Sequence, residues 1–149
     1  MTLQILQIAI PFIWFGLVGG ISFLETPLKF RAPNITLPLG LGIGRIVFSA
    51  VNKVEIALAT LFLISMFFVR PENEFPLLYF GVIVFLLILQ TIWLLPSLNA
   101  RAAAVINETF ATSSYTHFIF IAFEVIKVIL LLALGASLAH GYLRFGDLS

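Results

Sequence analysis

The sequence has no cysteine, few charges and no basic residue before Lys29. Each shortage excludes something. Without cysteine there can be no disulfide, no thiolate metal site and no cysteine nucleophile, and the redox compartment is left open. Charged residues make up 10% of the 149, where an ordinary soluble domain carries about 25%. The formal net charge is +1, so the chain carries no basic footprint for nucleic acid. A secretory signal opens with a basic n-region and closes on a small-residue cleavage site. Here the first apolar run, from about Leu3 to Leu24, lacks that n-region and exceeds a signal core. It is expected to be a retained transmembrane helix.

What the chain does have is apolar surface. Hydrophobic residues account for 61% and the mean hydropathy is +1.14. A soluble fold of this length could not hide so much, so much of it must face lipid. Crossing a hydrocarbon core of roughly 30 Å takes about 20 apolar residues in a helix. Four segments qualify, at about 3–24, 39–69, 77–95 and 114–139. The stretches "ETPLKFRAPNITLP", "RPENEFP" and "SLNARAAAVINETFAT" separate them, the last being helix-friendly at its start. Short connections favour antiparallel neighbours. The expected fold is therefore an all-α integral membrane protein, a single domain built as an up-down bundle of four transmembrane helices. Pro96 is expected to stop the third helix. The glycine-rich start of the second, "LGLGIGRIVFSA", is expected to lie at the interface or project beyond the hydrocarbon.

Charges inside the spans carry the most information, because an ionisable group at membrane depth is costly and is a functional candidate by default. Glu55 lies 15 residues before Arg70, and Glu124 lies 16 before His140. Both therefore sit about 22–24 Å from the same membrane face. The second helix reads Lys53-x-Glu55 and the fourth reads Glu124-x-x-Lys127. In an up-down bundle these helices run parallel. Lys53 can then stand opposite Glu124, and Glu55 near Lys127, in a neutral four-charge layer. Arg45, Ser49 and Asn52 share a helix face, and Gln90 can join from the third helix. Two other readings stand beside this one. Paired buried charges can fix helix register and do nothing else, and Lys53 can snorkel to the headgroups.

The remaining features are less specific. His117 and His140 lie 23 residues apart on one helix, about 34 Å, and cannot share a metal. His117 is expected near Arg101 and Glu108 at the bundle mouth. Gly16 and Gly20, like Gly40 and Gly44, form G-x-x-x-G pairs that let helices approach closely, within the bundle or in a homo-oligomer. Asn34-Ile-Thr36 and Asn107-Glu-Thr109 match the glycosylation sequon, read here as chance. Ser113 and Ser114 precede His117, but no acid completes a catalytic set. No enzyme, metal site or cofactor is expected. The helix-2 and helix-4 sequences also align at an offset of 72, and "FLETPLKFRA" loosely echoes "WLLPSLNARA", as in a parallel two-span repeat.

The run "GGISFLETPLKFR" followed by "LGLGIGRIVF" resembles the opening of small four-span membrane proteins of the transmembrane-protein-205-like group. Gly20, Phe23, Pro27 and Phe30 carry the likeness, with His117 entering the last helix. The resemblance implies a four-helix membrane protein without an assigned activity.

Lys and Arg gather in the first and third loops, as Lys29, Arg31 and Arg101 with Arg45 close by, against Arg70 and Arg144 on the other side. The positive-inside rule puts those two loops in the cytoplasm, in a bacterial-type inner membrane. The functional expectation is transport or permeation of an ion, proton or small polar solute through the charge layer. The alternative is an accessory subunit whose layer fixes packing or assembly. The bilayer is the expected partner, and the sequence names no small-molecule ligand.

Overall fold

The computed structural model describes residues 2–71, 74–107 and 115–146, the side chains of 144–146 excepted. Among these residues the chain forms four long apolar helices: α1 Thr2–Lys29, α2 Leu37–Phe68, α3 Phe75–Ile106 and α4 Thr116–Gly146. Each is long and apolar enough to cross a membrane. The protein is a multi-pass membrane bundle, and its surface shows it: Ile46, Phe67, Ile92 and Phe118 all point outward.

The helices alternate in direction. Gln7, near the start of α1, donates to the carbonyl of Val69 just past the end of α2, at 2.8 Å. Tyr142, near the end of α4, donates its hydroxyl to Gln7. The start of α1 and the ends of α2 and α4 therefore share one membrane face, called here the terminal face. The first and third loops lie on the opposite face. Around the ring, α1 packs on α2 and α4, and α3 packs on the same two. Toward the terminal face the centre is filled by apolar side chains from all four helices, among them Ile10, Phe62, Phe80, Ile83, Leu131 and Leu134.

Two helices run on past a proline, Pro27 in α1 and, in α3, Pro96, which was expected to end it. In α1, residues Gly19–Glu25 wind as a π-helix that ends two residues before Pro27. In α3, Gln90–Leu94 do the same, ending two residues before Pro96. A proline has no N–H to give the carbonyl four residues back, and its ring crowds that carbonyl. Opening one turn to i→i+5 bonding absorbs the mismatch, so the helix continues instead of breaking. The bonds are explicit. Thr26 N–H and Leu95 N–H reach back five residues, to Ile21 O and Gln90 O, and Thr26 Oγ1 also donates to Ile21 O at 2.9 Å. Pro96 thus fails as a stop, and α3 continues to Ile106.

The glycine-rich start of α2 is the first part of a 32-residue helix and packs against the residues that open the first loop. A Cβ on Gly40 would meet the ring of Phe30, and one on Gly44 would come within 3.3 Å of Lys29 Nζ. The residues of the first sequon have structural work here. Asn34 takes a left-handed conformation, φ 63°, which asparagine tolerates better than most residues. Thr36 caps α2 by accepting from Leu39 N–H at 3.4 Å. The second sequon runs into residues outside those described, as do Glu108, Ser113 and Ser114.

A side chain at Gly40 should therefore overpack the joint between the first loop and α2. Gly40→Leu is expected to destabilise the bundle by about 1–3 kcal/mol. At Gly16 a Cβ would meet nothing within 4 Å, so leucine should be accepted there within about 0.5 kcal/mol. Thermal unfolding in detergent micelles compares the two.

Candidate functional site

Where α1 to α4 converge, above the apolar core, three ionisable side chains are buried together. Lys127 is 0% exposed, Glu124 3% and Glu55 4%. Lys127 Nζ lies 2.6 Å from Glu55 Oε1 and 2.7 Å from Glu124 Oε1. It also donates to Gln90 Oε1 at 2.7 Å. An ammonium has three N–H bonds, and here each has an acceptor, on α2, α4 and α3 respectively. The same Gln90 amide donates its Nε2 to Glu124 Oε1 at 2.6 Å, which fixes which way the amide faces.

The helix α1 supplies the outer donors. Trp14 Nε1 donates to Glu55 Oε1 at 2.8 Å, and Ser22 Oγ donates to Glu124 Oε2 at 2.6 Å. Ser22 lies in the π-helical turn of α1, and Gln90 opens that of α3. The turns before the two prolines are thus the turns that feed the layer. No buried side-chain nitrogen or oxygen among the described residues lacks a hydrogen-bond partner. A buried ion pair stripped of such partners loses more in desolvation than it gains in attraction.

The layer differs from the expected one in a specific way. Glu55, Glu124, Lys127 and Gln90 are brought together; Lys53 is not, and its side chain is exposed. The reason is angular. Residues two apart on a helix do not face the same way, so Lys53 points away from the bundle when Glu55 points in. The expected pairing of Lys53 with Glu124 is thereby corrected. One ammonium against two carboxylates leaves a formal charge of −1, where a neutral layer was expected.

Next to the layer is a cavity of about 10 Å³ lined by Phe48, Asn52, Glu55, Gln90, Phe120 and Glu124 among others. That is at the threshold for one water molecule. Asn52 is held there by donating to Thr91 Oγ1 at 2.8 Å. Phe48 and Phe120 meet edge to face, with centroids 5.4 Å apart. Phe48 and Leu95 also line a second space of about 120 Å³, a vestibule toward the opposite face. Lys29, Arg45, Asn99 and His117 line that vestibule. Lys29 Nζ is 3.3 Å from Glu25 Oε2 and 5.6 Å from the Phe48 ring centroid, within cation–π range.

The other expected residues fall outside the layer. Arg45 and His117 belong to the vestibule. Ser49 is half-buried and lines neither space. Gly40 and Gly44 pack inside the chain, whereas Gly16 and Gly20 face open space. Trp14 and Ser22 were not singled out from sequence. Trp14 gave a usable sign, since an indole N–H at mid-span needs an acceptor.

Removing Lys127 leaves two buried carboxylates facing each other. Lys127→Met should cost about 3–5 kcal/mol, while Lys53→Gln should stay within about 0.5 kcal/mol. Equilibrium unfolding in mixed micelles tests both; equal effects would contradict the placement of the layer.

No family model, curated protein or solved structure matches this chain.

Proposed function

We propose that the protein is a small permeation or transport element of a bacterial-type inner membrane, handling an ion, proton or small polar solute at the layer of Glu55, Glu124 and Lys127. The supporting observation is the cavity that touches Glu55, Gln90 and Glu124 and shares Phe48 and Leu95 with the vestibule. A layer that served packing alone would have no need of a lined approach from one face. The likeness to transmembrane-protein-205-like proteins belongs to the same proposal and adds no activity to it.

A second reading is an accessory subunit, with the layer fixing helix assembly. Two observations favour it: every fully buried side-chain nitrogen and oxygen among the described residues has a hydrogen-bond partner, and Gly16 and Gly20 turn an open small-residue stripe outward, where a second copy could dock. Flux separates the readings. In the permeation reading each carboxylate is a charge that the permeant meets at membrane depth, so flux through proteoliposomes should fall roughly tenfold or more in Glu55→Gln and in Glu124→Gln. Equal flux in wild type and both variants, at matched stability, rejects permeation through these residues.

The proposed orientation places the vestibule in the cytoplasm, following Lys29, Arg31, Arg45 and Arg101. With no native cysteine, an introduced one is a unique reporter. In intact cells an impermeant thiol reagent should label Glu74→Cys, and should reach Ala32→Cys only after lysis. The reverse pattern inverts the orientation.

A further inference from the structure

We propose that the layer is a proton-binding site: Glu55 and Glu124 share one exchangeable proton, and it arrives from the opposite face through the vestibule. This names the permeant within the permeation reading and rests on that reading for its purpose.

The first ground is charge balance. Two carboxylates and one ammonium, all buried, sum to −1. An uncompensated charge in a dry interior is expensive, and such a group takes up a proton in preference to staying charged. The second ground is what else could neutralise the layer. Lys127 Nζ already stands between the two carboxylates, 2.6 and 2.7 Å from their oxygens, where a metal cation would sit. Hard cations take about six or more oxygen ligands, and a cavity of about 10 Å³ has no room to add them. A proton needs neither space nor a ligand set.

The third ground is the free oxygen. Lys127 and Trp14 both donate to Glu55 Oε1. Among the described residues no hydrogen bond reaches Glu55 Oε2. Glu124, by contrast, has both oxygens engaged. The proton thus has one open carboxylate oxygen, on a residue that lines the water-sized cavity. Uptake forms one O–H bond there and takes the layer from −1 to 0, and Lys127 keeps all three of its N–H bonds.

The fourth ground is access. Toward the terminal face the way is closed by Ile10, Phe62, Phe80, Ile83, Leu131 and Leu134. Toward the opposite face the cavity and the vestibule share Phe48 and Leu95 in their linings, and Phe120, on the cavity side, packs edge-on against Phe48. Around the carboxylates stand Trp14 and Ser22 from α1, Asn52 from α2, Gln90 from α3 and Lys127 from α4; of these Lys127 alone is charged. Further out, Lys29, Arg45 and His117 line the vestibule.

Infrared titration of the purified protein tests this between about pH 6 and pH 10, where exposed carboxyls are already ionised. The wild type should show the C=O stretch of a protonated carboxyl, lost as pH rises. Either Glu55→Gln or Glu124→Gln alone restores neutrality with Lys127, so the band should vanish in both variants. Should those variants fail to fold, carbodiimide labelling of the wild type, mapped by mass spectrometry, should mark Glu55 or Glu124 and slow as pH rises. Phe48→Ala should raise labelling by a water-soluble carbodiimide several-fold. No band and no label at any pH, a band lost in one variant alone, or a response to sodium or potassium in place of pH overturns the proton site. Unchanged labelling in Phe48→Ala overturns the route. A band without flux rejects permeation and keeps the proton; flux without a band does the opposite.

Discussion

The bundle is organised by one ammonium group. Lys127 reaches from α4 to acceptors on α2, α3 and α4 itself, and α1 is tied in through Trp14 and Ser22 on the same two carboxylates. In lipid there is no hydrophobic drive to bring helices together, since the tails are as apolar as leucine. Packing and polar contacts must do that work. A single buried cation whose partners lie on several helices sets the height of each helix relative to the others. It also sets their rotation, because a shift of one residue turns Glu55 away from the centre by about 100°.

The cost of this arrangement appears in the backbone. A regular α-helix carrying Pro27 or Pro96 would kink or stop. The π-helical turns at Gly19–Glu25 and Gln90–Leu94 let α1 and α3 run on. Each turn also changes the direction in which its side chains leave the helix, and Ser22 and Gln90 are the side chains delivered to Glu124. The two odd-numbered helices thus use the same device, a widened turn followed by a proline. The two even-numbered helices supply the charges.

Much of the architecture was legible because the bilayer imposes a length, and four apolar runs meet it. The ends were less so. Pro96 reads as a stop in isolation, and nothing in local propensity signals a π turn that removes the conflict. In the site, depth counting was enough to bring Glu55, Glu124, Lys127 and Gln90 to one level, since rise per residue is fixed. Rotation was the weaker coordinate. Lys53 shares the level of Glu55 but not its face, and the two-residue spacing already contained that fact. Ser22 carried no sign at all, because one serine in an apolar helix has many uses. The vestibule depends on how Phe30, Phe48 and the start of α2 fold together, which no single segment determines.

The wide separation of the layer's parts along the chain bears on how the protein is made. Glu55 is synthesised 72 residues before Lys127. At typical elongation rates of about 5–20 residues per second, that is roughly 4–14 s. During that interval the second span is in the membrane with its carboxylate and without its ammonium. Trp14, already present on α1, is among the described residues the one donor to Glu55 that precedes it. The indole is thus placed to hold the acid while the last helix is still on the ribosome, and the arrival of α4 completes both the charge pairing and the bundle in a single step.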